Sequence, residues 1–292
     1  MNYNTVLVKY ENSYQLRTYQ FTIKSDSDNE ADCYDVFGEN NDSRNNSNFE
    51  SVENEIDLAF SEVDSKYHFE GHSAYVSVNR SKNKIFYLAR SNDWSNGYFV
   101  TLEIDQNRYD GRDYNVASEL IRKFTDFLRS FDSSIYALFV PELHPSSGRY
   151  HFHGLIHGNI KDLLIYSGHK IKGHFIYNFC RGWKYGFTNV TKVDNTLAVE
   201  KYICKYTTKE LLNSILYQHR YFTLNLKEAS IVKLNLYDHD EIYKELIACG
   251  LVDFCNTDGL YNRVTYTELK KDDKVLQVLE KYVNNTNRLL NS

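Results

Sequence analysis

Four of the ten histidines in this chain fall within residues 141–158, PELHPSSGRYHFHGLIHG. His151 and His153 are two apart, so on a strand they share one face, and Glu142 and His144 share a face of the run before them. Between the apolar runs 135–143 and 150–156 stand the turn formers Pro145, Ser146, Ser147 and Gly148. That is the pattern of a β-hairpin. If its strands pair, two imidazoles converge with a carboxylate, Glu142, or with a third imidazole, His144, and the result is a metal site in outline. A His-x-His triplet alone carries little weight, since ten histidines give roughly 0.3 such triplets by chance. The carboxylate and the turn that folds it over the triplet supply the rest.

A second constellation lies in NTLAVEKYICKYTTKEL, residues 195–211, which reads as a helix with Asn195 as its N-cap. Tyr202 and Tyr206 are four apart, as are Lys205 and Lys209, so each pair projects from one side of the helix. Two readings stand. The tyrosines can continue the apolar stripe begun by Ala198 and Val199, or a phenol and a metal on one scaffold can serve phosphodiester transesterification. For the latter, a divalent cation polarises a poorly electrophilic phosphodiester. Tyrosine must lose its proton as it attacks, and a nearby lysine favours the phenolate and neutralises the developing charge. The products are a 5′-phosphotyrosyl enzyme and a free 3′-hydroxyl, and because the bond energy is stored covalently the strand can be resealed without ATP.

The elements that must position these groups read as follows. Residues 98–104, YFVTLEI, form a buried strand, and residues 115–131 an amphipathic helix with Val116, Leu120, Phe124, Phe127, Leu128 and Phe131 on one face. With the histidine hairpin this makes strand, helix, strand, strand, the first half of a ferredoxin-like or RNA-recognition-like sandwich of the α+β class. Residues 74–91, AYVSVNRSKNKIFYLARS, are expected to form a hairpin, and residues 186–193 another strand. Residues 161–184 read as a less regular insertion in which Lys170, Lys172, Arg181 and Lys184 interleave with Phe175, Tyr177, Phe179 and Trp183. That mixture suits single-stranded nucleic acid, and it suits a half-buried surface equally well. Towards the C-terminus, YFTLNL and IVKLNLY look like strands, and residues 240–251 and 272–290 look helical.

Composition bounds what the chain can be. With 292 residues, 42% of them hydrophobic, it can bury one large core or two small ones. No apolar run approaches the roughly 20 residues needed to span a bilayer, and MNYNTVLVKYEN lacks the apolar core of a signal peptide, so a cytoplasmic protein without a membrane partner is expected. The five cysteines are scattered without C-x-x-C spacing, which argues against a disulfide framework or a thiolate zinc site. The net charge of −5 is unevenly spread: residues 25–57 hold eleven acidic residues against the single Arg44, and the remainder is mildly basic. The acidic stretch reads as a solvated, flexible segment, and the basic remainder permits a phosphate partner.

These residues carry a family resemblance. HFH at residues 151–153 resembles the histidine-hydrophobe-histidine signature of HUH endonucleases, the rolling-circle replication initiators (Rep proteins) of phages, plasmids and small single-stranded DNA viruses. FVTLEID at residues 99–105 resembles their first motif and YICKYTTK at residues 202–209 their tyrosine motif, with the histidines preceding the tyrosine as in Rep proteins. The resemblance implies a ferredoxin-like/RRM-like HUH sandwich with an antiparallel central sheet and flanking helices. It also implies a metal site of His151, His153 and Glu142, with His144 the alternative third ligand, holding Mg²⁺ or Mn²⁺. Tyr206 becomes the expected principal nucleophile and Tyr202 a second nucleophile or positioning group, assisted by Lys205 and Lys209. The expected partner is single-stranded DNA at a replication origin, in the host cytoplasm if a phage encodes the protein. With no G-x-x-x-x-G-K-[ST] in the sequence, a separate helicase is expected beside the DNA polymerase. The expected division is an N-terminal extension over 1–72, the endonuclease core over 73–215 and an accessory region over 216–292. Two other classes remain open: a non-catalytic single-stranded nucleic-acid binding module, and a His/Glu metallohydrolase in which water attacks.

Overall fold

The computed structural model describes residues 2–24, 81, 83–144, 147–171, 173–195, 199–200, 203, 219–258 and 264–283. The chain divides into two compact units, residues 1–44 with 228–292, and residues 45–227. In chain order it begins with β1 (Asn2–Lys9) and β2 (Ser13–Lys24) of the first unit. The second unit then contributes β3 (Tyr98–Glu103), α1 (Tyr114–Phe131), β4 (Tyr136–Leu143), β5 (Tyr150–His157), β6 (Leu164–Ile171), β7 (His174–Phe179), β8 (Thr188–Lys192) and β9 (Phe222–Leu224). The first unit resumes with β10 (Ser230–Leu234), α2 (His239–Ala248), β11 (Val252–Asp258), β12 (Val264–Lys270) and α3 (Asp273–Lys281). The architecture is α+β, and every strand pairing is antiparallel.

The larger unit is built on a seven-stranded sheet in the order β6-β7-β8-β3-β5-β4-β9. Because β5 runs antiparallel to both β3 and β4, those two are parallel with β5 inserted between them, a split β-α-β. The pleat sorts the side chains. Val100 and Leu102 of β3, Phe139 of β4 and Phe152 of β5 point to one face, where they pack with Ala117, Leu120, Ile121, Phe124 and Leu128 of α1. The carboxylate of Asp113 caps α1 by accepting from the Asn115 N–H at 2.8 Å. Residues 99, 101, 142, 151 and 153 are thereby turned to the opposite face.

Gly154, next to the histidine pair, is required by packing. A Cβ there would lie 2.4 Å from Cδ1 of Phe139 and 2.9 Å from the Leu138 carbonyl oxygen. Only a bare backbone lets the Phe139 ring lie against β5.

Several expectations change. The IFYLA run, expected as half of a hairpin over 74–91, is helical over residues 83–90. Ile85, Phe86, Tyr87, Leu88 and Ala89 are all buried, and a short run apolar at every position carries no period to separate helix from strand. Flanking side chains satisfy the carbonyls at the end of that helix. The Ser91 hydroxyl donates to the Tyr87 oxygen, the Asn92 amide to that of Leu88, and the Trp94 indole to that of Ala89. The insertion expected over 161–184 is largely the regular hairpin β6–β7, whose pattern is diluted by Gly168, at a break in register, and by Gly173 in the turn, both with φ of +86°. Residues 1–72 are not wholly an extension. β1 and β2 alternate apolar and polar residues and pair with strands from the other end of the chain, giving a second sheet in the order β10-β1-β2-β12-β11. Leu7, Leu16 and Leu269 of that sheet share a core with Leu246 of α2 and Leu279 of α3. The acidic stretch over 25–57 lies outside the described residues.

Replacing Gly154 by alanine is expected to destabilise the protein by about 1–3 kcal/mol, as overpacking does. Denaturant unfolding measures it, and adding Phe139→Leu to Gly154→Ala should recover part of the loss because the two side chains compete for one volume.

Candidate metal centre

Glu142 stands directly opposite His151 in the β4–β5 ladder, and His153 lies one turn of the pleat further along the same face of β5. The three side chains meet. His151 Nε2 lies 2.8 Å and His153 Nε2 2.7 Å from the same Glu142 Oε2, and the two Nε2 atoms are 3.0 Å apart. Glu142 and His153 are buried, at 8% and 7% exposure, so the cluster is shielded but reachable from one side. Among the described residues this is the group of His, Cys, Asp and Glu side chains whose donor atoms converge closely enough to hold a metal ion.

The chemistry of the donors fits a cation. Two imidazole nitrogens and a carboxylate oxygen crowded at one point are three electron-pair donors with too few protons to bond each other. Burial would push the Glu142 carboxyl up, but the hydrogen bonds from His151 and His153, and the charge on those rings, outweigh it and hold the group at about 2. A carboxylate so held is ionised and ready to ligate. Adjacent ligands around an octahedral ion with bonds of about 2.1 Å lie about 3.0 Å apart. The observed separations of 2.7 to 3.0 Å match that spacing without rearrangement.

The strand β3 supports the cluster from the other side. Thr101 is paired with His153 across the ladder, and its Oγ1 lies 3.2 Å from His153 Nδ1. With the proton on Nδ1 the ring donates to that hydroxyl, which leaves the Nε2 lone pair facing the cluster. The Phe99 ring stacks on His153 with centroids 5.9 Å apart and planes 24° from parallel. Phe99 and Thr101 thus fix the ring's orientation. Sequence reasoning singled out the FVTLEID motif as a resemblance but assigned these two residues no role. Their alternate positions on a strand flanking the His-x-His strand are the signal that could have found them.

The remaining expected site residues divide. His144 is exposed at the hairpin turn, with its ring centroid 6.0 Å from that of His151, and it is not part of the converging group. Its main chain instead helps form the turn, its N–H donating to the Arg149 oxygen and its oxygen accepting from the Gly148 N–H, each at 2.8 Å. Tyr202, Lys205, Tyr206 and Lys209 lie outside the described residues. The helix expected to carry them is visible where it begins: the Val199 N–H donates to the Asn195 oxygen, and Glu200 and Ile203 are buried.

Residues 97–211 match the model of a replication-associated protein family, the ORF2 type. The matched segment contains β3 and the whole Glu142, His151 and His153 cluster. The match supports a role in replication initiation and, with it, an interaction with DNA. No curated protein and no solved structure matches the chain. No helix among the described residues is long and apolar enough to cross a membrane.

Isothermal titration with Mn²⁺ is expected to show one site in the wild type. The site should be lost in Glu142→Ala and His153→Ala and weakened about 10- to 100-fold in Thr101→Val, the usual cost of removing an outer hydrogen bond to a ligating histidine. Unchanged circular dichroism would show that each variant remains folded.

Proposed function

We propose that this chain is a rolling-circle replication initiator of the HUH class: a metal-dependent endonuclease and strand transferase that nicks and rejoins single-stranded DNA at a replication origin. The observation that carries the proposal is the convergence of Glu142, His151 and His153 on adjacent strands, inside the segment that matches the replication-associated family. The three would hold Mg²⁺ or Mn²⁺, which when bound supplies the polarisation of the scissile phosphodiester. Thr101 and Phe99 keep the His153 ring in its ligating orientation.

The chain's own nucleophile in this proposal is Tyr206, with Tyr202 a second nucleophile or a positioning group. The phenolic oxygen attacks phosphorus, a phosphorus–oxygen bond to tyrosine forms, and the bond to the 3′ oxygen breaks, leaving a free 3′-hydroxyl for a polymerase to extend. Lys205 and Lys209 favour the phenolate and offset the charge that accumulates at phosphorus. Reversal by an incoming 3′-hydroxyl reseals the strand. Strand separation falls to a separate helicase and synthesis to a separate DNA polymerase, in the cytoplasm of the cell that replicates the DNA.

The test is a denaturing gel after incubation with labelled single-stranded DNA from the encoding replicon and Mn²⁺. Label is expected to stay with the wild-type protein, to require the metal, and to vanish in the Tyr202→Phe/Tyr206→Phe double variant. Tyr206→Phe alone should cost more adduct than Tyr202→Phe alone. Metal-dependent cleavage without any adduct would replace the tyrosine mechanism by attack of water, and binding without cleavage would leave a non-catalytic module.

A further inference from the structure

The hairpin β6–β7 carries a cluster of side chains that the catalytic reading does not use. Of the aromatic residues interleaved with basic ones in this part of the sequence, Phe179 and Trp183 are buried in the core and Phe175 and Tyr177 are not. Tyr166 joins these two. Its ring centroid lies 5.5 Å from that of Phe175 and 6.0 Å from that of Tyr177. Tyr166 is 46% exposed and Phe175 49% exposed, while Tyr177 packs against the core and anchors the group. Lys170 Nζ lies 4.1 Å from the Phe175 ring centroid. Single exposed apolar residues need no explanation, but three neighbouring rings with a cation on one of them form a patch.

The charge around the patch is one-sided. Residues 163–193 contain five lysines and arginines and no aspartate or glutamate, in a chain whose net charge is −5. Rings with free π faces combined with an uncompensated basic surface are what a single-stranded nucleic acid requires, bases on the rings and phosphates on the cations.

The placement separates the patch from the chemistry. Tyr177 pairs with Val190 and Val190 with Val100, whose side chain lies in the core against α1. Thr101, the next residue on β3, points the other way, to His153. The patch therefore lies on the opposite face of the sheet from the metal cluster. It sits at the β6 edge, four strand spacings or about 19 Å from β5.

We infer that Tyr166, Phe175 and Lys170 form a base-stacking platform that binds single-stranded DNA away from the nucleotides being cleaved. The inference rests on the proposed function only for the choice of DNA as ligand. Such a platform adds affinity and leaves the chemical step alone.

The test uses the full chain without metal and a fluorescein-labelled dT20, followed by anisotropy, beside an abasic oligonucleotide of the same length. The Tyr166→Ala/Phe175→Ala variant is expected to lose at least about tenfold in affinity for dT20. It should bind the abasic strand as the wild type does, and keep its unfolding midpoint. Lys170→Gln should weaken both oligonucleotides and flatten the salt dependence. Adduct formation at saturating origin DNA should proceed in the ring variant at the wild-type rate. Equal dT20 affinity in the wild type and the ring variant overturns the platform, and with adduct still formed it leaves the nickase standing. Loss of dT20 affinity in the ring variant, in a protein that forms no adduct on any DNA, upholds the platform and sinks the nickase.

Discussion

The antiparallel register between β4 and β5 is the constraint on which the site depends. It sets Glu142 opposite His151, and a slip of one residue would send the carboxylate to the face covered by α1. Three features hold that register. The turn after β4 is closed by main-chain bonds between His144 and both Arg149 and Gly148, with Gly148 at φ +63°. The Tyr150 N–H, at the entry to β5, donates to the Gly111 oxygen at 2.7 Å. Further along, Phe139 fills the space left by the missing side chain of Gly154, so that apolar packing and donor geometry fix the same alignment.

Placing β5 between two partners has a second effect. A strand hydrogen-bonded on both sides offers its side chains little freedom of position, and the ligating rings are further held from β3 by a hydroxyl and a stacked aromatic ring. The arrangement accepts the cost of gathering buried polar groups because each has a partner. The split β-α-β thus does more than provide a core: it brings residues from β3, β4 and β5, far apart in sequence, to one spot.

Much of this was legible in the sequence, and for identifiable reasons. The hairpin of residues 135–156, strand β3 and helix α1 follow their periodicities closely, and the Glu142, His151 and His153 group follows from alternation plus a turn. What misled was local. IFYLA is apolar at every position and so carries no period, and its helical state is fixed by side-chain bonds from Ser91, Asn92 and Trp94. The hairpin β6–β7 hid behind glycines and lysines. β1 and β2 were obscured by the acidic stretch that follows them, and their partners lie more than 200 residues away, a separation no local pattern encodes. Thr101 and Phe99 matter through contacts across the sheet, which only a register reveals.

The close spacing of the donors also bears on which ions the cradle accepts. The three atoms sit within 3.0 Å of one another on strands that cannot spread without breaking ladder bonds. Calcium, with bonds of about 2.3–2.6 Å and a preference for six to eight oxygens, would need these donors farther apart and more of them anionic. The protein thereby sorts cations by size through main-chain stiffness, before any difference in ligand preference comes into play. Selectivity of this kind belongs to the sheet as a whole.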